Sequence, residues 1–255
     1  MAQLMCDRLK RKLEAGEFCK GFHCSSSDLA MYEIAAVSGI DYVWIDTEHA
    51  AVNMESVFRG MMVVQAHGVS AIVRVAQCDP VLAKPYLDNG ADGIVFPMVN
   101  TAEEARLAVA ACRYPVAGVR GFGPQRANGY GAMKAAEQVA FGDKHVMPII
   151  QIEHYEAVNN LDEILSVDGI DYAVIGPMDL SASVGKVGQL DDPEVSGMLD
   201  TIFAKCKEHN VKVGVSTGPN RALFDRCRAQ GAGFISMGNP YAFVKSGIEQ
   251  WLFND

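Results

Sequence analysis

The sequence predicts a (β/α)8 TIM barrel in a single domain spanning residues 1–255, and three observations predict it. Four segments share one form, a glycine or glycine–acid step followed by an apolar run: residues 38–46, 89–97, 168–177 and 230–238. Four further apolar runs fall between them, at residues 18–23, 70–75, 147–152 and 211–215. Helical patterns separate the eight, and no low-complexity linker divides the chain. Eight β/α alternations in roughly 250 residues fit a closed barrel better than an open doubly wound sheet.

Each element has its own signal. The glycine of a repeated segment suits the left-handed position just past a helix. The apolar run after it reads as a strand buried on both faces, as parallel strands are. Helices are expected over residues 28–37, 54–66, 80–88, 102–111, 156–165, 193–208 and 221–229. Ser27 and Asp28 suit the cap of the first, and Asn100-Thr101-Ala-Glu-Glu that of the fourth. About fifty residues between the fourth and fifth strands break the rhythm and include the glycine-rich stretch 116–131, with Arg120 and Arg126. A long insertion there reads as an active-site loop or lid, with a plain surface loop as the alternative.

Composition narrows the function. With 49% hydrophobic residues and a net charge of −9, the chain reads as an acidic globular protein, which argues against nucleic acid or an anionic membrane surface as partner. No apolar run approaches the roughly 20 residues of a membrane span, and the N-terminus turns charged at once, unlike a signal peptide. Seven cysteines without a C-x-x-C spacing fit buried thiols in a reducing compartment. The cytoplasm is the expected location.

Barrel active sites form at the carboxyl ends of the strands. The second strand runs through Val43-Trp-Ile45 into Asp46, Glu48 and His49, and Arg74 stands near the end of the third. The fifth supplies Gln151 and Glu153, and after the sixth come Gly176, Pro177, Met178 and Asp179. Glu153 and Asp179 on adjacent strands suit a hard divalent cation that keeps positions open for water and substrate. An arginine beside them can grip a carboxylate and offset charge developing on an enolate. Asp46 and His49 suit an orienter and a general base, whereas strand-end logic gives Glu48 no role beyond a structural one. Taken singly, each has a plainer reading: a salt bridge for Glu153 or Arg74, a helix cap for Asp179, a surface histidine for His49. No dinucleotide, P-loop or nucleophile-elbow motif is present.

At these residues a resemblance becomes specific. Tyr42-Val-Trp-Ile-Asp-Thr-Glu-His-Ala50, Arg74 with Asp79-Pro80, Phe96-Pro-Met-Val99, Arg113-Tyr-Pro with Gly118-Val-Arg-Gly121, Gln151-Ile-Glu153 and Ile175-Gly-Pro-Met-Asp-Leu-Ser-Ala-Ser183 resemble the class II pyruvate aldolases of the HpcH/HpaI family. The likeness spans roughly residues 18–245 in family order. It implies a phosphoenolpyruvate/pyruvate-type barrel that cleaves 4-hydroxy-2-oxo acids to pyruvate and an aldehyde. Glu153 and Asp179 would bind Mg²⁺, Mn²⁺ or Co²⁺, chelated in turn by pyruvate, and Arg74 would steady the enolate. Asp46 and His49 would form the acid/base dyad, Gln151 would contact the oxo acid, and backbone amides from Gly176 to Asp179 would hold its carboxylate. Asp88 falls where the family places an acid reaching a neighbouring subunit's site. The resemblance also implies a homo-oligomer, a hexamer built from trimers, with a final helix over residues 241–253 exchanged between neighbours.

His23, where relatives often carry tryptophan, departs from the pattern, as do Phe122-Gly-Pro-Gln-Arg126 and Ser216-Thr-Gly218. These are expected on the aldehyde side of the pocket, while the pyruvate half is intact. A Schiff-base aldolase needs a pocket lysine, but Lys20 and Lys212 lie at strand beginnings and Lys84 inside a helix. Another enolate reaction on the same metal site, oxaloacetate decarboxylation or acyl-CoA ester cleavage, stays open. A non-catalytic metabolite-binding barrel would have no use for the pair Asp46 and His49.

Overall fold

The computed structural model describes residues 4–253. The chain enters on a short helix, α1 (Arg8–Glu14), followed by β1 (Cys19–Cys24), α2 (Leu29–Val37) and β2 (Tyr42–Asp46). Next come α3 (Met54–Ala66), β3 (Ser70–Arg74), α4 (Pro80–Asp88), β4 (Gly93–Phe96) and α5 (Ala102–Cys112). A helix of the long insertion, α6 (Ala135–His145), leads to β5 (Met147–Ile152), α7 (Tyr155–Asn159) and α8 (Leu161–Leu165). The chain continues through β6 (Tyr172–Ile175), α9 (Pro177–Ser183), α10 (Pro193–Glu208) and β7 (Lys212–Thr217). It ends in α11 (Arg221–Ala229), β8 (Phe234–Met237) and α12 (Pro240–Leu252). The eight strands close into one barrel in chain order, every neighbour parallel, with β1 sealing against β8.

Strand alternation divides the apolar residues into two cores. Val43, Ile45, Ala71 and Val73 pack outward under the helices. Tyr42, Trp44, Ile72, Ile149, Val174 and Phe234 fill the barrel interior. Two glycines make room for the inner rings: a Cβ on Gly21 would overlap the ring of Tyr42, and one on Gly214 the ring of Phe234. The floor is closed by α1, whose Leu9 and Leu13 join the interior cluster while the Leu9 N–H donates to Ser70 Oγ at 3.0 Å. With apolar residues below, the interior positions at the upper strand ends are left for polar groups.

Three expectations are corrected. The helix expected over residues 156–165 is two helices, broken at Asn160, whose side-chain amide donates to the Asn100 carbonyl at 2.9 Å. The charged N-terminal stretch forms a helix that the sequence reading did not anticipate. Most consequentially, the long insertion is no lid over this chain's pocket. A capping box at Thr101 and Glu104 starts α5 directly after β4, and α5 returns the chain to the amino ends of the strands before the irregular stretch 113–134 begins. There Gln125 N–H donates to the Asp88 carbonyl at 2.9 Å, Arg120 Nη2 to Leu87 O at 3.1 Å, and Arg126 Nη2 to Leu4 O at 3.0 Å. Phe122 and Arg126 therefore lie at the far end of the barrel from the strand-end pocket. Asp88 lies there too, with Oδ1 3.9 Å from Arg120 Nη2.

Candidate active site

The parallel register sets Asp46 of β2 beside Arg74 of β3. Both point inward, and the pair is bidentate: Arg74 Nε to Asp46 Oδ1 at 3.0 Å and Nη2 to Oδ2 at 2.9 Å. The remaining arginine nitrogen, Nη1, meets Glu48 Oε2 at 3.0 Å. Asp46 Oδ1 also accepts from the backbone N–H groups of Glu48 and His49, at 3.0 and 3.3 Å, which curls the chain after β2 around the carboxylate. Thr47 fastens that turn to β3, its hydroxyl donating to the Arg74 carbonyl at 2.6 Å. Burial by itself disfavours ionised Asp46, but hydrogen bonds and charge from His23 and Arg74 outweigh it and hold the carboxyl well below the usual range.

The histidine ring against Asp46 is that of His23, not His49. His23 Nε2 lies 3.2 Å from Asp46 Oδ2 and Nδ1 lies 3.0 Å from Ser216 Oγ. The ring stacks on Trp44 of the barrel interior, with centroids 5.5 Å apart. His49 sits on the rim with its side chain 66% exposed, its Nε2 3.6 Å from Glu48 Oε2. Glu48 is thus no bystander: it lies between Arg74 and His49. Burial pushes its carboxyl up, against the opposing pull of Arg74. The sequence signal for His23 was its inward position two residues beyond Gly21. Its partnership with Asp46 depends on the β1–β2 register, in which His23 pairs with Trp44.

Across the barrel, β5 ends in Gln151 and then Glu153, both buried. The Met98 N–H, aimed by a left-handed turn after β4 (φ 52°), donates to Glu153 Oε1 at 2.8 Å, and the Gln151 amide donates to Oε2. Gly176, at the start of α9, leaves a space beside Glu153 that a Cβ would fill. Burial raises the Glu153 carboxyl to about 7, opposed by the Met98 hydrogen bond and reinforced by the negative charge of Asp179.

Among the described residues no three His, Cys, Asp or Glu side chains are drawn together as a ready-made metal cage. The set that is present suits a cation that keeps much of its coordination for water and substrate. A buried carboxylate short of positive charge, a second acid near it and the unpartnered buried Gln151 Oε1 are all hard oxygen donors. These residues fit a magnesium-like divalent ion held by Glu153 and Asp179.

One cavity of about 280 Å³ is lined by Asp46, His49, Arg74, Gln151, residues 176–179 and, on the other side, His23, Ser25, Ser216, Thr217 and Asn239, with Glu153 buried behind Gln151. That volume is at the lower end for ligand pockets and suits a small substrate. Asp88 is not among the lining residues, and neither is any lysine, which leaves the Schiff-base route without its amine.

A family model described as HpcH/HpaI aldolase/citrate lyase matches residues 20–243. A pyruvate aldolase of Rhizobium etli is 36% identical over 248 residues, covering 97% of this chain and 96% of the relative. A 2-keto-3-deoxy-L-rhamnonate aldolase of Escherichia coli is 34% identical over 253 residues, covering 99% and 94%. The crystal structure of an HpcH/HpaI aldolase from Desulfitobacterium hafniense superposes with a TM-score of 0.89 at 30% identity, covering 95% of this chain and 94% of that one.

Proposed function

The chain belongs to the HpcH/HpaI aldolase/citrate lyase family, and from that premise we propose that it cleaves a 4-hydroxy-2-oxo acid to pyruvate and an aldehyde in a divalent-metal-dependent retro-aldol reaction. The observation that carries this reading is the cavity in which Gln151 and Asp179, with Glu153 buried against the Gln151 amide, face the Asp46–Arg74 pair and His49. Glu153 and Asp179 would hold the cation, whether Mg²⁺, Mn²⁺ or Co²⁺, which would supply Lewis acidity to the oxo acid.

The chain's own residues do the rest. Gln151 and the backbone amides from Gly176 to Asp179 hold the oxo-acid end. His49, on the rim beside Glu48, takes the proton of the C4 hydroxyl. The C3–C4 bond then breaks: the oxygen's electron pair completes the aldehyde carbonyl, and the bond's pair passes to C3 and the keto oxygen. Arg74 lends positive charge to that enolate, and Asp46 holds Arg74 in place. The proton that His49 took is returned to C3 of the enolate, which gives pyruvate and regenerates the base. Asp46 thus acts as an orienter that already accepts from Arg74, His23 and two backbone amides.

A basic cleft for coenzyme A is missing from the described lining, where Arg74 is the sole lysine or arginine, so acyl-CoA ester cleavage has no observation in its favour. We also propose a homo-oligomer, a hexamer built from trimers, closed through α12. This helix exposes Tyr241, Val244, Ile248 and Trp251 to solvent, 49–82% exposed, beside an apolar groove containing Met31 and Pro240. A second copy's α12 is the occupant with matching chemistry. Asp88, at the far end of the barrel, would then approach a neighbour's pocket. The reaction is tested by coupling pyruvate release from a 4-hydroxy-2-oxo acid to lactate dehydrogenase. Activity should vanish with EDTA and return with Mn²⁺; turnover that survives EDTA unchanged would contradict the metal-dependent route.

A further inference from the structure

We propose that His23 and Ser216 form a subsite that binds a hydroxyl group on the aldehyde half of the substrate, so that the enzyme selects hydroxyaldehydes; the inference rests on the aldolase reading above. The hydrogen-bond directions lead there. Ionised Asp46 only accepts, so His23 Nε2 carries the proton that faces it across 3.2 Å. The ring's other nitrogen, Nδ1, lies 3.0 Å from Ser216 Oγ and anchors that hydroxyl. Ser216 Oγ uses one hydrogen-bonding position on the ring and keeps another for the cavity it lines. A hydroxyl, which both donates and accepts, is the group that pairs with an oxygen fixed in this way.

Placement supports the assignment. His23 lies near the end of β1, on the opposite side of the closed barrel from Gln151 of β5, where the oxo acid is held, and Ser216 of β7 stands between those two sides. Their cavity neighbours Ser25, Thr217 and Asn239 are neutral and polar, so this wall offers hydrogen bonds to a hydroxyl. It also lacks a lysine or arginine of its own: Arg74, the one such residue lining the cavity, is paired to Asp46 and Glu48. A carboxylated aldehyde would find no strong counter-charge there. Sites built to bond a hydroxyl discriminate sharply against analogues that lack it, because their own polar groups are left unpaired.

The test is aldol addition to pyruvate with Mn²⁺, comparing glycolaldehyde with acetaldehyde, which differ by one hydroxyl, and with glyoxylate, which carries a carboxylate. For the wild type, kcat/KM should favour glycolaldehyde over acetaldehyde by about tenfold or more. Ser216→Ala and His23→Phe should bring the ratio near one, and His23→Gln, which keeps a donor for Asp46, should restore part of it. The ratio is taken within one variant, so it does not depend on how much of that variant folds, and Ser216→Ala reports even if His23→Phe is insoluble. An unchanged ratio in Ser216→Ala, or a wild-type preference for acetaldehyde or glyoxylate, would overturn the subsite. A wild type that adds no aldehyde and exchanges no pyruvate methyl protons would overturn the aldolase reading and the subsite with it.

Discussion

Asp46 binds so many donors that its loss should be felt in stability before chemistry. Its removal leaves Arg74, 6% exposed, without its bidentate partner. Breaking a buried pair from one side typically costs about 3–5 kcal/mol, so Asp46→Ala should lower the urea midpoint at pH 7 by a corresponding amount. His49 behaves oppositely. On the exposed rim it supports little structure, so His49→Ala should melt like wild type and bind metal normally. Its carbon–carbon cleavage should slow by about 10²–10⁴-fold, the usual worth of a general base; loss of metal binding in this variant would show its role to be misassigned. Glu153 gives the pH dependence. Proton and cation compete for one carboxylate whose acid is raised to about 7. Below that pH the proton form prevails, so Mn²⁺ affinity should fall about tenfold per unit toward pH 5 and level off above 8. Calorimetric titrations from pH 5.5 to 8.5 would show this, and Glu153→Gln should abolish binding throughout. At this scale the sequence exposed Asp46, Arg74 and Glu153 because apolar strands end in them. It hid the role of Glu48 and the His23–Asp46 contact, since both depend on cross-strand register and on a turn fastened by Thr47.

Elements were legible where burial is continuous. β2, β3 and β5 are buried at every position, and they stand out in the sequence as apolar runs. The N-terminal helix α1 was hidden because it buries just Leu9 and Leu13 among arginines and lysines. Its contribution is tertiary: it plugs the barrel floor. Leu13→Ala should therefore cost about 2–5 kcal/mol as a core truncation, and thermal unfolding would measure it. The insertion was misplaced for a different reason. The helix over residues 102–111 and its Thr101 cap were legible, but length and glycine content suggested a lid. That helix already carries the chain back to the amino ends of the strands, so the irregular stretch after it lies at the far end from the pocket.

For the whole molecule, closure of the barrel brings residues from β2, β3, β5 and β6 and the turns after them into one cavity, and no helix among the described residues is long and apolar enough to cross a membrane. All seven cysteines are free, and burial pushes the thiols of Cys112 and Cys206 up to about 12, which keeps them protonated and unreactive near neutral pH. The apolar exposure along α12 predicts that deleting residues 240–255 lowers the oligomeric state, read by light scattering on a sizing column; an unchanged mass would exclude α12 from the assembly. The central claim, enolate formation from pyruvate at a metal site built on Glu153 and Asp179, is tested most directly by following pyruvate methyl protons by NMR in D₂O. Wild-type protein with Mg²⁺ or Mn²⁺ should exchange them without any aldehyde present, and Glu153→Gln should not. Wild-type protein that shows no metal-dependent exchange would contradict the claim.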